Sequence, residues 1–153
     1  MGAFQSNDAH EHGASDALDL RLDVTVAEGA LPPRYETPST SHFALFANET
    51  VGIDGCDWVP VRTGLSFAMP FMLILLVRGA GSDWEVESQV VDYDATDELV
   101  VRVRRPLSGG GGADKLTRIV AGMRVATGVV LPIARPAFTL YQPATDDEEG
   151  ETV

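Results

Sequence analysis

A chain of 153 residues is long enough for one domain with a hydrophobic core and short for two. Its hydrophobic fraction, 44%, is ordinary, but 23 acidic residues stand against 11 basic ones, for a formal net charge of -12. Lys115 is the one lysine, and the other basic residues are arginines. So negative a surface disfavours the phosphate backbone of nucleic acids. It is typical of a solvent of very high ionic strength, which screens repulsion, although an ordinary acidic protein is the alternative.

The numbers of cysteines and histidines and the lengths of the apolar runs disfavour disulfide-bonded, metal-binding and membrane-spanning proteins. The single cysteine, Cys56, leaves no internal disulfide, and we predict a buried or half-buried structural thiol. His10 and His12 lie in a polar segment and are too few for a metal site. No apolar leader with a basic flank begins the chain. The most apolar run, residues 67–77, is interrupted by Pro70 and is far shorter than the roughly 20 residues that span a bilayer, so we expect no membrane insertion.

Strand-like runs follow one another through the middle of the chain. Residues 18–26 alternate apolar and polar side chains, which is typical of a strand with one buried face. A proline-rich extended connector is predicted at residues 29–38. Further strands are predicted at residues 43–47, 57–61, 64–69, 71–77, 84–91, 99–104, 120–126 and 129–133. Short strands separated by glycine and proline predict an all-β sandwich or barrel.

Four segments differ from this strand series. Residues 1–16 and 144–153 are polar and acidic and are predicted to be tails, which leaves one domain over residues 17–143. The glycine run at residues 109–112 is predicted to form a hairpin tip, because it lacks the Gly-Lys-Ser/Thr sequence of a phosphate-binding loop. A short helix is predicted within residues 113–120.

Five segments resemble parts of the dUTPase superfamily, which includes dUTPases and dCTP deaminases, and they occur along the chain in the same order as in that superfamily. Residues 59–70 (VPVRTGLSFAMP) resemble its Thr-Gly-Leu turn and the alternating strand that follows. Residues 30–47 (ALPPRYETPSTSHFALFA) are similar to the Leu-Pro-x-Arg/Lys segment that leads into the first motif. Residues 89–101 (QVVDYDATDELVV) resemble the third motif, and residues 122–132 (GMRVATGVVLP) the fourth. Residues 133–138 (IARPAF) are similar to the segment that leads to a last, swapped strand.

This resemblance covers residues 18–141 and implies both a fold and an activity. The implied fold is a jelly-roll-like, dUTPase-type β-barrel that forms a homotrimer with active sites at the subunit boundaries. The implied activity is magnesium-dependent cleavage of dUTP to dUMP and pyrophosphate. We expect the trimer interface to include residues 71–77, with Leu75 buried there. Four turn and packing residues of the family are retained: Thr63, Gly64, Gly122 and Pro132.

Residues that this chemistry would need in the first two motifs are mostly replaced. The aspartate of the first motif corresponds to Ala44, and a methyl group neither accepts hydrogen bonds nor holds hydrated magnesium. In the second motif Arg78 is retained. The serine after it has become Gly79, or Ala80 if the register shifts by one.

The third motif keeps its carboxylates and loses its aromatic residue. Asp92 matches the aspartate that would activate water, and Glu98 is also retained. Ala95 replaces the tyrosine that would pack under the deoxyribose. In so acidic a chain, carboxylates on a solvated surface are the more ordinary interpretation of both.

The last two motifs diverge further. Arg124 is retained in the fourth, where Thr127 replaces a glutamine. The glycine-rich fifth motif has no counterpart, and the chain instead carries Asp-Asp-Glu-Glu at residues 146–149, which would repel a triphosphate.

We therefore predict no catalytic residue, nucleotide-binding residue, metal ligand or cofactor. The vestigial catalytic candidates are Asp92 and Glu98, and the vestigial nucleotide-binding candidates are Arg78 and Arg124.

The leading functional hypothesis is a non-catalytic, homotrimeric structural protein. We predict a capsid decoration or turret subunit in the virion of a halophilic archaeal virus, bound to itself and to a capsid or other large assembly. Two alternatives stay open. One is a divergent, cytoplasmic dUTPase or dCTP deaminase that needs magnesium and uses Asp92 with Asp94. The other is a regulator that senses a nucleotide without turning it over.

Overall fold

The computed structural model describes residues 20–79, 81, 83–107 and 117–143. Over these ranges the chain forms strands and no helix, so the all-β prediction is confirmed. The predicted tails and the glycine run at residues 109–112 lie outside the described residues. The strands are β1 (Asp23–Val26), β2 (Arg34–Tyr35), β3 (Phe43–Phe46), β4 (Val51–Ile53), β5 (Val59–Arg62), β6 (Leu65–Ala68), β7 (Leu73–Arg78), β8 (Glu85–Val86), β9 (Gln89–Val91), β10 (Val100–Arg104), β11 (Thr117–Ile119) and β12 (Arg124–Pro132).

The described strands pair, always antiparallel, into four separate sheets. The largest has the order β2-β3-β12-β7-β9, and a three-stranded sheet has the order β5-β10-β8. Two ribbons, β1-β6 and β11-β4, complete the set. The barrel prediction is corrected in one respect, because hydrogen bonding between these strands does not close into a ring. Very short strands such as β2 and β8 offer too few backbone groups to join neighbouring sheets.

One hydrophobic core holds the sheets together. Buried side chains from β3, β4, β5, β6, β7, β10, β11 and β12 form a single cluster. Strand β7 shows how the cluster is built: Leu75 and Val77 are fully buried, whereas Ile74 and Leu76 are half-buried. Successive side chains of a strand point to opposite faces, so Leu75 packs inside its own chain. The prediction that Leu75 lies at a subunit interface is therefore wrong, and its neighbours face outward instead.

Several predicted element boundaries differ from the structure. Residues 120–126 and 129–133 were predicted as two strands, but β12 runs without a break through Gly128, whose flexibility does not end it. Residues 84–91 form two strands, β8 and β9, which pair with different sheets. Residues 117–119 of the predicted helix form β11, because they pair with β4.

Two short strands and one thiol were also misjudged. Strands β2 and β4 were not predicted, since β2 lies in the proline-rich connector and β4 has glycine at its centre. Cys56 is exposed, because it lies in a bend between β4 and β5 and not within a strand. No helix in the described part of the chain is long and apolar enough to cross a membrane.

Candidate functional site

The outer face of the five-stranded sheet carries a row of four residues that lie directly opposite one another. Arg34 on β2 is opposite Ala44 on β3, Ala44 is opposite Thr127 on β12, and Thr127 is opposite Arg78 on β7. Directly opposed residues on neighbouring strands share a face. Phe43 belongs to the core cluster, so Ala44, the next residue along, points away from it. We call these four residues the arginine row.

A third arginine lies on the same face beside this row. Arg124, at the start of β12, is opposite Phe46 on β3, and it forms an ion pair with Glu36. The guanidinium of Arg34 lies over the ring of Phe46, 5.5 Å from its centroid, as in a cation–π contact. Neither Arg34 nor Arg78 has a carboxylate partner among the residues that the structure describes. The face therefore presents positive charge on an acidic protein.

The rest of this face is apolar. Leu76 lies between Val90 on β9 and Val129 on β12, and Ile74 is opposite Leu131 on β12. Val90 and Leu131 are exposed, whereas Ile74, Leu76 and Val129 are half-buried. These five aliphatic side chains form what we call the aliphatic patch, which adjoins the arginine row along β7 and β12.

The two carboxylate candidates lie elsewhere. Val91 is opposite Leu75, so Asp92 follows at the end of β9 that is farther from Arg78. Asp92 and Glu98 both line a groove of about 260 Å³ whose apolar wall includes Phe67 and Leu99. A second groove, about 230 Å³, shares Phe67 with the first. The structure thus brings Arg78 and Arg124 to one face and Asp92 and Glu98 to another region.

Glu98 is engaged by the fold. Its Oε2 accepts a hydrogen bond from Nε of Arg62 at 3.0 Å, and its Oε1 accepts one from the backbone amide of Gly64 at 2.8 Å. The hydrogen bond to Glu98 is the main cause that raises the pKa of Arg62 above its ordinary value. The interpretation of Glu98 as a merely solvated carboxylate is therefore wrong, whereas Asp92 is exposed as expected.

The turn that Glu98 holds is tightly packed. Thr63 is fully buried; its hydroxyl donates to the carbonyl of Leu99 at 2.6 Å and accepts from the amide of Leu65 at 3.2 Å. Gly64 has a φ of 71°, and a Cβ there would lie 2.6 Å from the Cβ of Ala30 and 2.9 Å from Nδ2 of Asn48. Only glycine fits at that point. We call Thr63, Gly64 and Glu98 the turn cluster.

Residues suited to a metal ion are not grouped in the described structure. Over residues 20–79, 81, 83–107 and 117–143, no three His, Cys, Asp or Glu side chains are placed to hold one ion. Ala44, which the sequence resemblance aligns with a motif aspartate, is 3% exposed and lies between Arg34 and Thr127.

Sequence reasoning missed three residues that matter here. Arg34, Glu36 and Arg62 were not singled out as site residues. A signal existed for Arg34, since it is the arginine of the Leu-Pro-x-Arg segment. The ion pairs Arg124–Glu36 and Arg62–Glu98 join distant parts of the chain, so a local sequence pattern does not predict them.

Comparison with known proteins places this architecture in a recognised class. No family model and no curated protein matches the sequence. Solved structures do match. The dUTPase of Staphylococcus bacteriophage 80alpha is similar with a TM-score of 0.69 and 15% identity, over 80% of this chain and 97% of that one. The dUTPase of phage phi11 of S. aureus matches with a TM-score of 0.69 and 15% identity, over 82% and 99%.

A third match contains a nucleotide analogue. A variant of the 80alpha dUTPase with dUpNHpp aligns with a TM-score of 0.70 and 17% identity, over 87% of this chain and 95% of that one. The three matches agree on the fold and span almost the whole of each phage protein. The chain therefore has a dUTPase-like fold, as the sequence motifs predicted.

Proposed function

We propose that the chain is a non-catalytic structural protein with a dUTPase-like fold, which needs no metal or other cofactor. The observation that carries this proposal is the alanine, Ala44, at the centre of the arginine row. The sequence resemblance aligns Ala44 with the first-motif aspartate, and its side chain is nearly inaccessible. A methyl group cannot ligate hydrated magnesium or orient a water, both of which phosphoanhydride hydrolysis requires.

The contacts of Glu98 support the same proposal. Both of its carboxylate oxygens already accept hydrogen bonds within the chain, from Arg62 and from Gly64. These two bonds hold the carboxylate against the turn, whereas a general base has to be directed at the proton that it removes. Glu98 is better suited to holding the turn cluster, which leaves Asp92 and its exposed neighbour Asp94 as carboxylates of the groove that Glu98 lines.

Exposed apolar residues support self-association, which we propose to be a homotrimer. After β12 the chain continues over residues 133–143 without a strand, and Phe138, Leu140 and Tyr141 are 86–88% exposed. The aliphatic patch is a second apolar surface. Contiguous apolar surface of this kind is typical of protein–protein contacts.

The composition supports the wider setting that we propose, a virion of a halophilic archaeal virus. A net charge of -12 with a single lysine suits high salt, where repulsion between carboxylates is screened. We propose that the homotrimer decorates a capsid or forms part of a turret. Detection of the chain in purified particles in stoichiometric amounts is the expected result, and its absence from them would count against a virion role.

A second candidate function, a regulator that binds a nucleotide without hydrolysing it, is favoured by one observation. Arg34 and Arg78 lie in one row and lack a carboxylate partner in the described residues, and arginine suits phosphate recognition. This candidate shares the loss of turnover with the first. The two differ in whether a nucleotide binds.

A calorimetric titration of the full-length chain with dUTP and with dCTP, each with magnesium, separates these candidates. The structural proposal predicts no binding heat, together with a trimer mass in high salt. Binding heat that disappears in Arg78→Ala but persists in Arg118→Ala, an exposed arginine on β11, would favour the regulator instead. A monomeric mass at every salt concentration would overturn the trimer.

A further inference from the structure

The smaller of the two grooves lies between the β1-β6 ribbon and the loop that joins β9 to β10. Its volume is about 230 Å³. On the ribbon side it is lined by Thr25 and Ser66, which are directly opposite each other in the strand register and therefore share a face. Residues 93–96 line it on the loop side. We call this space the ribbon groove.

The apolar part of the ribbon groove is held in place by the core. Phe67 and Met69 line the groove and belong to the core cluster. Tyr93 lines it as well, and its ring meets the ring of Phe71 edge to face, with the centroids 5.1 Å apart. Aromatic pairs in this geometry stabilise each other beyond the burial of their area. The Tyr93 ring is therefore held in one orientation, and a ligand that packs on it costs little additional side-chain freedom.

Polar groups without internal partners surround this apolar part. The hydroxyls of Thr25, Ser66 and Thr96 and the carboxylate of Asp94 line the groove. Within residues 20–79, 81, 83–107 and 117–143, none of these four side chains makes a hydrogen bond or an ion pair. A hydroxyl both donates and accepts hydrogen bonds, whereas a carboxylate accepts them. The groove therefore offers open hydrogen-bonding groups of both kinds beside an apolar surface.

This lining disfavours four classes of ligand. A phosphate or other anion would face Asp94, and no arginine or lysine lines the described groove to offset the repulsion. A metal ion would need a group of carboxylates, histidines or cysteines, and the described part of the chain holds no such group of three. A purely apolar ligand would strip water from the polar groups and give them no hydrogen bonds in return. A small organic cation would pair with Asp94 but would offer no acceptor to the hydroxyl hydrogens.

We propose that the ribbon groove binds a neutral sugar ring of a glycan. A pyranose carries hydroxyls around its rim, which donate to Asp94 and exchange hydrogen bonds with the three hydroxyls of the groove. Its C–H groups carry small positive partial charges, so they pack on the negative face of the Tyr93 ring. The size agrees, because a cavity of about 150 Å³ admits benzene. The ribbon groove, at about 230 Å³, admits one larger ring.

Such a site goes beyond the structural role proposed above and does not depend on it. The groove is formed within one chain, so sugar binding requires neither a trimer nor a particular partner protein. Its contacts are short-range hydrogen bonds and packing, which salt weakens much less than it weakens the attraction between separated charges. A neutral glycan is therefore a ligand that an acidic protein holds even in concentrated salt.

Saturation-transfer NMR on the full-length chain in high salt tests this site. The probes are the methyl glycosides of glucose, galactose, mannose and N-acetylglucosamine, with glycerol and deoxyuridine as comparison ligands. We expect at least one glycoside to bind with a Kd on the order of 1 mM, because a single small ring makes few contacts. Saturation should be strongest at the C–H groups on one face of that ring. Glycerol and deoxyuridine should neither bind nor displace it.

Two pairs of matched variants locate the bound sugar. Asp94→Asn replaces a charged acceptor by a neutral one, so we expect about tenfold weaker binding. Asp57→Asn is its control, because Asp57 is exposed in the bend between β4 and β5 and does not line the groove. Ser66→Ala should weaken binding about threefold. Ser88→Ala, at an exposed serine between β8 and β9, should leave binding unchanged. Circular dichroism shows whether each variant is folded.

Absence of saturation transfer to all four glycosides would overturn the inference. So would equal transfer to glycerol, which would indicate unspecific binding of polyols, or displacement of the glycoside by deoxyuridine, which would indicate a nucleoside site. Equal affinities of Asp94→Asn and Asp57→Asn would place the sugar outside the ribbon groove and contradict it as well.

Discussion

The turn cluster and the arginine row both lie in segments that resemble dUTPase motifs, but their polar side chains have different surroundings in the fold. In the turn cluster, Thr63 and Glu98 have their hydrogen-bonding groups satisfied inside the chain. In the arginine row, Arg34 and Arg78 have no carboxylate partner within the described residues, and Ala44 stands between them. Polar residues whose partners lie inside the chain support the fold, whereas charges left open on a sheet face remain available to a partner molecule.

Substitutions at two neighbouring residues of β7 give the largest expected effects and test which residues face the core and which face outward. Leu75→Asp places an unpaired charge in the core, and we expect it to destabilise the chain by about 4 kcal/mol or more, enough to prevent folding. Leu76→Asp, on the outer face, should leave a folded chain that no longer self-associates. Urea unfolding and sedimentation in high salt measure the two effects. Soluble trimers of Leu75→Asp would contradict the assignment of faces.

Gly64→Ala tests the packing of the turn cluster. Its Cβ would lie within 3 Å of Ala30 and Asn48 at a φ of 71°, so we expect a loss of about 3 kcal/mol in the free energy of unfolding. Gly29→Ala is the control, because Gly29 has a φ of 76° but no contact closer than 3.9 Å. It should cost about 1–2 kcal/mol, the left-handed backbone alone. Similar losses in both variants would show that the packing around Gly64 adds nothing.

Glu98→Ala and Asp92→Ala separate a structural carboxylate from a surface one. Glu98→Ala removes the acceptor of the Gly64 amide, so we expect a loss of about 1–2 kcal/mol. The exposed ion pair with Arg62 adds little to this. Asp92→Ala should change stability by less than about 0.5 kcal/mol. Chemical denaturation measures the free energy of unfolding of both variants. An equal loss in both would show that the contacts of Glu98 do not stabilise the turn cluster.

The smallest expected effect is a pH dependence at Glu85. The hydrogen bond from Arg104, and then the backbone amide of Leu107, lower the pKa of Glu85 in the folded chain. Its contribution to stability is therefore present above the ordinary glutamate pKa and is lost as the pH falls through the lowered value. Glu85→Gln should flatten this acidic part of the melting-temperature profile relative to Glu87→Gln. Superimposable profiles for the two variants would contradict it.

Much of the fold could be predicted from local sequence. The alternating runs at residues 64–69 and 99–104 became β6 and β10, because burial of one face requires that alternation. The short apolar run at residues 43–47 contains β3, which is buried on both faces. Strand β2 could not be predicted in the same way. It has two residues and exists because β3 offers it backbone partners. The pairing of strands into separate sheets also depends on contacts between distant residues, which no local pattern encodes.

The candidate site was harder to predict than the fold. The motif comparison singled out Ala44, Thr127 and Arg78, and the strand register places these three residues in one row. The motif that contains Glu98 gave no hint of its contacts with Arg62 and Gly64, since both partners lie more than thirty residues away. Residue types indicate which chemistry a side chain can perform. Whether that side chain already has a hydrogen-bond partner is known only from the tertiary structure.

The central claim is that this dUTPase-like fold operates without turnover. The most direct test is the rate of pyrophosphate release from dUTP by the purified full-length chain with magnesium in high salt, beside a phage phi11 dUTPase as positive control. The account predicts a rate no higher than that of buffer alone, unchanged by Asp92→Ala. Release well above buffer that is lost in Asp92→Ala would contradict it.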